Sequence, residues 1–169
     1  GQLVWNFAVS ELARTAAPFA RRGAAEARRT DHAHSATEWY ELGCDLEATD
    51  PNEARDAYRR ALELNPAHAD AHVNLGRLLQ EAGAVAAAVE QYRAALEVDD
   101  RHATAAFNLG SAFEDLGRKQ EAIAAYQRAL VADPDFADAH FNLSRLYEKT
   151  GKRQAALRHL NQYKRLLEK

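Results

Sequence analysis

The sequence predicts an all-α fold, a solenoid of four helix-turn-helix hairpins preceded by an N-terminal leader. Three observations predict this fold. The 169-residue chain repeats itself with a step of 34 residues. Apolar residues recur at helical spacing in both halves of each repeat. Gly or Pro stands between those halves, as expected where helices end and begin. A period of this length is typical of arrays in which each hairpin buries its apolar face against the next one.

Residues 1–35 do not match the repeat and form the predicted leader. The leader begins with an apolar, partly β-prone segment, for which we expect an extended conformation. Ser10 is a suitable N-cap for a following helix rich in Ala and Arg. We expect Leu3, Trp5 and Phe7 to dock on the first repeat or, as an extended peptide, in a groove of this or a neighbouring copy. The second arrangement would make a homo-oligomer by exchange of the segment.

Each repeat is predicted to contribute two helices. Tyr58, Tyr92 and Tyr126 follow one another at the 34-residue step and mark the second helix. Small residues at another fixed register mark the first helix: Gly43, Gly76, Gly110 and Ser144. Gly or an Asp-Pro pair separates the two helices, because Gly ends helices and Asp before Pro begins them. The predicted repeats span residues 36–68, 69–102, 103–136 and 137–169.

The repeats resemble those of the tetratricopeptide repeat (TPR) family, which has the same 34-residue period. The family pattern places Leu before a small residue in the first helix, then Ala, an aromatic residue and Ala in the second, and Pro near the end. The third repeat supplies these residues as Leu109, Gly110, Ala122, Tyr126, Ala129 and Pro134. The resemblance covers residues 36–169 and implies a right-handed α-solenoid.

The resemblance also implies a concave peptide-binding groove lined by the first helix of each repeat. Three amides share one register and form a candidate ladder, because an amide pairs with both groups of a peptide bond: Asn74, Asn108 and Asn142. Three aromatic side chains are candidate apolar anchors: Tyr40, Phe107 and Phe141. We expect Arg77 and Arg145 to add a preference for acidic side chains. In an alternative that stays open, the amides bond only to neighbouring helices.

Composition and motifs exclude several classes of function. A net charge of -3 argues against direct nucleic-acid binding by this piece, and no apolar run approaches the roughly 20 residues of a membrane helix. The motifs of phosphate-binding loops, serine hydrolases and metalloproteases are missing from the sequence. We therefore predict no enzyme activity, no cofactor and no metal. His68 and His72 are assigned to packing and repeat junctions. The single cysteine, Cys44, is predicted to be buried or half-buried, and it fits a reducing, cytoplasmic location.

Two functions are consistent with the sequence. The first is a non-catalytic protein–protein interaction scaffold that binds an extended peptide or partner segment in the groove. The alternative is a regulatory and oligomerisation domain of a DNA-binding transcriptional regulator, since the start GQLVWNF and the following Arg/Ala-rich helix resemble the C-terminal part of some bacterial MerR-type regulators. The sequence contains no Met, so we expect that the chain starts inside a longer protein or was processed, with any DNA-binding domain upstream of Gly1.

Overall fold

The computed structural model describes residues 35–168, and all regular structure within that range is helical. Residues 35–168 contain eight helices: α1 Ala36–Leu46, α2 Pro51–Leu64, α3 Ala69–Glu81, α4 Val85–Val98, α5 Ala103–Asp115, α6 Lys119–Ala132, α7 Ala137–Lys149 and α8 Arg153–Leu167. None of these helices combines the length and apolar character needed to cross a membrane. The leader residues Leu3, Trp5 and Phe7 lie outside the described residues.

The chain divides into two compact units, with the boundary between Ala71 and His72. In the first unit, α1 packs against α2. In the second unit, helices from α4 to α8 pack in chain order, each against the next. Such sequential packing is what a helix-turn-helix array requires, because each amphipathic helix buries its apolar face against its neighbours in sequence.

The helices begin and end at residues with clear local reasons. Ser35 caps α1 with a capping box, in which its hydroxyl accepts from the backbone N–H of Glu38 and its own N–H donates to the Glu38 carboxylate. Asp50 caps α2 by accepting from a backbone N–H, and Pro51 follows it as the first helical residue. Gly117, in the turn after α5, has a φ of 72°. That left-handed conformation is unstrained only for glycine.

The core of each of the first three hairpins is built around a tyrosine that packs on a glycine. Tyr58, Tyr92 and Tyr126 are at most 1% exposed. A Cβ placed on Gly110 would lie 2.6 Å from ring atoms of Tyr126, and the corresponding glycines of the first two repeats show the same distance. No side chain fits in so short a gap, so the two helices approach closely only because glycine stands there.

The histidines assigned to structure serve structural roles. The Nδ1 atom of His68 accepts the backbone N–H of Ala71 at 3.3 Å, which caps the start of α3. The Nδ1 atom of His72 lies 2.8 Å from Oε1 of Gln91 and links α3 to α4. Both side chains therefore hold helices in place.

The structure corrects the prediction for Cys44, which is exposed rather than buried or half-buried. The buried face of α1 carries Trp39, Gly43 and Leu46. Cys44 follows Gly43 directly, and consecutive helical residues are turned about 100° from one another. The thiol therefore points away from the core of α1, and it lies 3.4 Å from the Tyr58 hydroxyl.

Candidate functional site

The first helices of the second unit meet through polar side chains. Gln80 of α3 donates through Nε2 to Oδ2 of Asp115 at 2.6 Å and to Oγ of Ser111 at 3.2 Å. Arg145 of α7 donates through Nη2 to both carboxylate oxygens of Glu114 at 2.8 Å. These bonds join α3, α5 and α7 along one surface. We call it the first-helix surface, which comprises Arg77, Gln80, Glu81, Asn108, Ser111, Glu114, Asp115, Asn142 and Arg145.

The buried tyrosines donate hydrogen bonds to this surface. The hydroxyl of Tyr92 donates to Oε1 of Gln80 at 3.0 Å, and that of Tyr126 donates to Oε1 of Glu114 at 2.9 Å. Burial is the main cause that raises the pKa of both hydroxyls, so they remain protonated donors at neutral pH. These pairs were not predicted from the sequence. Their signal is a Gln or Glu placed 12 residues before each tyrosine.

The three predicted ladder amides differ in whether they already form hydrogen bonds within the protein. Asn142 donates through Nδ2 to the Tyr126 hydroxyl at 3.2 Å. Asn74 is half-buried and also engaged. Asn108 is half-buried as well, but its amide forms no side-chain hydrogen bond within residues 35–168. It opens instead on a cleft of about 360 Å³, whose other lining residues are Arg77, Gln80, Glu81, Tyr92, Ser111 and Asp115.

The predicted aromatic anchors also differ in how much surface they offer. Phe107 is half-buried and stacks on Phe136, with 4.8 Å between ring centroids. In the first unit, the ring of Tyr40 lies 4.4 Å from that of His68. Phe141 remains 43% exposed, although its ring touches that of Tyr163 at 5.2 Å. Phe141 thus presents the most open aromatic surface of the three.

The two predicted arginines are both paired with carboxylates of the same surface. Arg77 contacts Glu81 at 2.8 Å within α3, and Arg145 contacts Glu114 across two helices. The Glu114 side chain is only 17% exposed, so its pairing with Arg145 is partly shielded from solvent. An acidic ligand must compete with these internal carboxylates for either guanidinium group.

A second cleft, which was not predicted from the sequence, has a volume of about 400 Å³. The guanidinium groups of Arg93 and Arg118 lie over the ring of Phe113, at 5.8 and 4.8 Å from its centroid. The lining of this second cleft combines three large apolar side chains, two alanines and four charged residues: Leu96, Leu109, Phe113, Ala124, Ala125, Arg93, Glu97, Glu121 and Arg128.

Among residues 35–168, no three His, Cys, Asp or Glu side chains are grouped so that they could hold a metal ion.

Solved structures with the same fold cover almost the whole chain. A crystal structure of MamA matches with a TM-score of 0.81 and 20% identity, over 95% of this chain and 91% of that chain. MamA from residue 41 to its end, from Desulfovibrio magneticus RS-1, matches with a TM-score of 0.76 and 23% identity, over 99% of this chain and 94% of that one. Similarity at this level of identity shows a shared fold. Together with the helices described above, it confirms the predicted all-α array of helical hairpins.

Sequence comparisons identify the family directly. Comparison with curated proteins finds no significant match. Two family models, each described as tetratricopeptide repeat, do match: one covers residues 44–97 and 74–135, and the other covers residues 113–166. The first model alone spans more than half of the chain. The chain therefore belongs to the tetratricopeptide repeat family.

Proposed function

We propose that this chain is a non-catalytic protein–protein interaction scaffold whose first-helix surface binds an extended peptide or partner segment. Membership of the TPR family supports the scaffold role. The proposal of peptide binding rests on the surroundings of the Asn108 amide. Its amide borders a cleft and has no internal partner within residues 35–168. It can therefore pair with a peptide bond without first breaking a hydrogen bond of the fold.

Hydrogen bonds alone support only weak binding at this surface. A net hydrogen bond contributes roughly 0.5–1.5 kcal/mol, so even three amides would hold a peptide at about millimolar affinity. Two of the three amides already have internal interactions. Tighter binding needs an apolar anchor, and we assign this role to Phe141, which directly precedes Asn142 of this surface on α7 and is 43% exposed.

The test combines Asn108→Ala with Phe141→Ala. Dodecapeptides selected from a random library on the unmodified chain serve as probes, and fluorescence anisotropy measures their dissociation constants. We expect about a tenfold weaker affinity, because the double variant removes one amide and the open aromatic ring. The melting temperature should fall by no more than about 4 °C, since neither side chain is buried.

A control removes an exposed amide and an exposed apolar side chain elsewhere. Asn161 and Val131 are both exposed and lie on the second helices α8 and α6. The Asn161→Ala, Val131→Ala variant should keep the affinity of the unmodified chain. If the Asn108→Ala, Phe141→Ala variant bound the dodecapeptides as tightly as the control variant does, the assignment of the binding surface would be wrong.

Three predictions from the sequence remain as predictions. Homo-oligomerisation through Leu3, Trp5 and Phe7 concerns residues outside the described range. The resemblance to MerR-type regulators depends on the same leader. Neither the described residues nor the comparisons add support to the regulator, so the interaction scaffold stands as our conclusion. The cytoplasmic location likewise rests on the sequence alone.

A further inference from the structure

The cleft beside Asn108 has an unbalanced negative charge. Three of its lining residues belong to the charged types: Arg77, Glu81 and Asp115. Arg77 and Glu81 compensate each other, with their charged atoms 2.8 Å apart. Asp115 pairs with no Lys, Arg or His within residues 35–168. The donor to its carboxylate is the neutral amide of Gln80, at 2.6 Å.

The position of Asp115 strengthens this negative charge. Asp115 is the last residue of α5, where the carbonyl groups of the helix end carry a partial negative charge. Gln80 also accepts the Tyr92 hydroxyl at 3.0 Å and donates to Ser111 at 3.2 Å. This network holds the carboxylate at the wall of the cleft, although it brings no positive charge to it.

The next pair of first helices, α5 and α7, differs in its charges at the corresponding positions. Between α5 and α7, Glu114 is compensated by Arg145. The residue of α7 that lies 34 positions after Asp115 is Lys149. An uncompensated carboxylate is therefore a property of the cleft between α3 and α5 and does not recur at the next pair.

We propose that this cleft receives a lysine or arginine side chain of the bound peptide, with Asp115 as its counter-charge. The inference rests on the proposed function and specifies the ligand of the same surface. A long cationic side chain buries its aliphatic stem in a cleft while its charged end reaches a carboxylate. Asn108 lies beside this position and is available to the peptide backbone. The favoured ligand is thus basic at this point, in contrast to the acidic preference expected from Arg77 and Arg145.

The expected selectivity is modest because Asp115 is exposed. An exposed ion pair changes an affinity by about two- to fivefold. Dissolved salt screens such a pair, so the preference should shrink as ionic strength rises. A dodecapeptide library with all positions degenerate measures this preference directly, because sequencing of the retained peptides reports the enrichment of each residue type.

The library is applied to the unmodified chain, Asp115→Asn, Asp115→Lys and a control, Glu90→Gln. Glu90 is an exposed carboxylate of α4 that pairs with Arg93, so its replacement changes the net charge as Asp115→Asn does. The unmodified chain and the control should enrich Lys or Arg over Gln about two- to fivefold at one position. Asp115→Asn should lose that enrichment, and Asp115→Lys should favour Glu instead. Neither substitution of Asp115 should destabilise α5, since a neutral or positive residue is favourable at a helix C-terminus.

Two results overturn the inference, and they are distinguishable from failure of the proposed function. Retained peptides without any preference for Lys or Arg would remove the basic ligand and leave peptide binding intact. A preference that persists unchanged in Asp115→Asn would remove Asp115 as the counter-charge. If no variant retains peptides above an empty resin, the proposed peptide binding itself is wrong and the inference falls with it.

Discussion

Glycine and tyrosine meet at one point in each of the first three repeats, and that contact sets the distance between paired helices. In the third repeat, a Cβ on Gly110 would lie 2.6 Å from the ring of Tyr126. The ring is 1% exposed and its hydroxyl is held by Glu114 and Asn142, so it has little freedom to move away. The fourth repeat has Ser144 and Leu160 at the same two registers, where a smaller apolar side chain leaves room for a hydroxymethyl group.

This difference predicts the outcome of Gly110→Ser. The added side chain overpacks the hairpin, so we expect the free energy of unfolding to fall by about 1–3 kcal/mol, as measured by urea denaturation. Tyr126→Leu alone should also destabilise the chain, through the lost ring and hydrogen bonds. Because the pair Ser and Leu occurs together in the fourth repeat, the double variant should lose less stability than the sum of the two single changes. If the losses in the free energy of unfolding were strictly additive, the contact between residues 110 and 126 would not be the cause of the destabilisation.

Residue identity at a register does not determine whether a side chain is available. The repeat step correctly aligns Asn108 with Asn142, and both are half-buried. The two differ because Asn142 bonds to the Tyr126 hydroxyl, while the Tyr92 hydroxyl beside Asn108 bonds to Gln80. Such a choice among several donors and acceptors depends on three-dimensional distances of a few tenths of an ångström. A repeat alignment carries no information on that scale, so the sequence aligns these amides at one register but does not tell which of them is already engaged in a hydrogen bond.

Helix positions were far more predictable than hydrogen bonds. The predicted starts and stops rest on local chemistry, such as Asp50 before Pro51 and Gly117 after α5, and the structure shows those residues in those roles. Capping and turn conformations depend on a few neighbouring residues, which the sequence displays directly. The buried or half-buried state predicted for Cys44 was wrong because burial depends on which side of α1 meets a neighbour, and composition says nothing about that side.

A pair of histidines joins the two helices of the last hairpin. Nδ1 of His140 on α7 lies 2.9 Å from Nδ1 of His159 on α8, and Nε2 of His140 lies 3.0 Å from the carbonyl oxygen of Pro134. A carbonyl only accepts, so neutral His140 carries its proton on Nε2, and His159 donates to its Nδ1. The corresponding pair of the second repeat is His72 with Gln91, at 2.8 Å and the same sequence separation.

This pair predicts a pH dependence of stability. Burial, the nearby His140 and then Arg158 lower the pKa of His159 below its usual value, which is near 6.5. The unfolded chain therefore binds more protons than the folded chain at pH values between the folded and the unfolded pKa of His159. It follows that the free energy of unfolding decreases as pH falls below about 6.5 and levels off below the folded pKa.

The chain itself supplies the matched variant, His159→Gln, which copies the pairing of His72 with Gln91. Its amide can donate to neutral His140 or accept from charged His140, so protonation no longer opposes folding at this point. Urea denaturation from pH 8 to pH 5 should show a steeper loss of stability for the unmodified chain than for His159→Gln. Parallel profiles would mean that the histidine pair does not contribute to the pH dependence.

Burial is uneven over the second unit of the molecule. The second helix of the third repeat, α6, buries five side chains: Ala122, Ile123, Ala125, Tyr126 and Ala129. The second helix of the fourth repeat, α8, buries none. The contrast is clear at a single register, where Ile123 is 6% exposed and Leu157, 34 residues later, is 58% exposed. In a repeat array, stability comes from the interfaces between neighbouring elements, so a helix with fewer buried contacts is held by less free energy.

Native-state hydrogen exchange, read by mass spectrometry, should resolve this difference within one protein sample. Amides of α8 should exchange by local opening that leaves α5 and α6 folded, with protection about tenfold or more below that of α6. The internal control is α4, which buries Ala88, Val89, Tyr92, Ala95 and Leu96 and should be protected to a similar degree as α6. Equal protection of α8 and α6 would contradict the prediction, because it would require the whole unit to open as one cooperative body. Lower protection of α8 would instead show that this helix opens while α5 and α6 stay folded, as expected when stability is the sum of neighbouring interfaces.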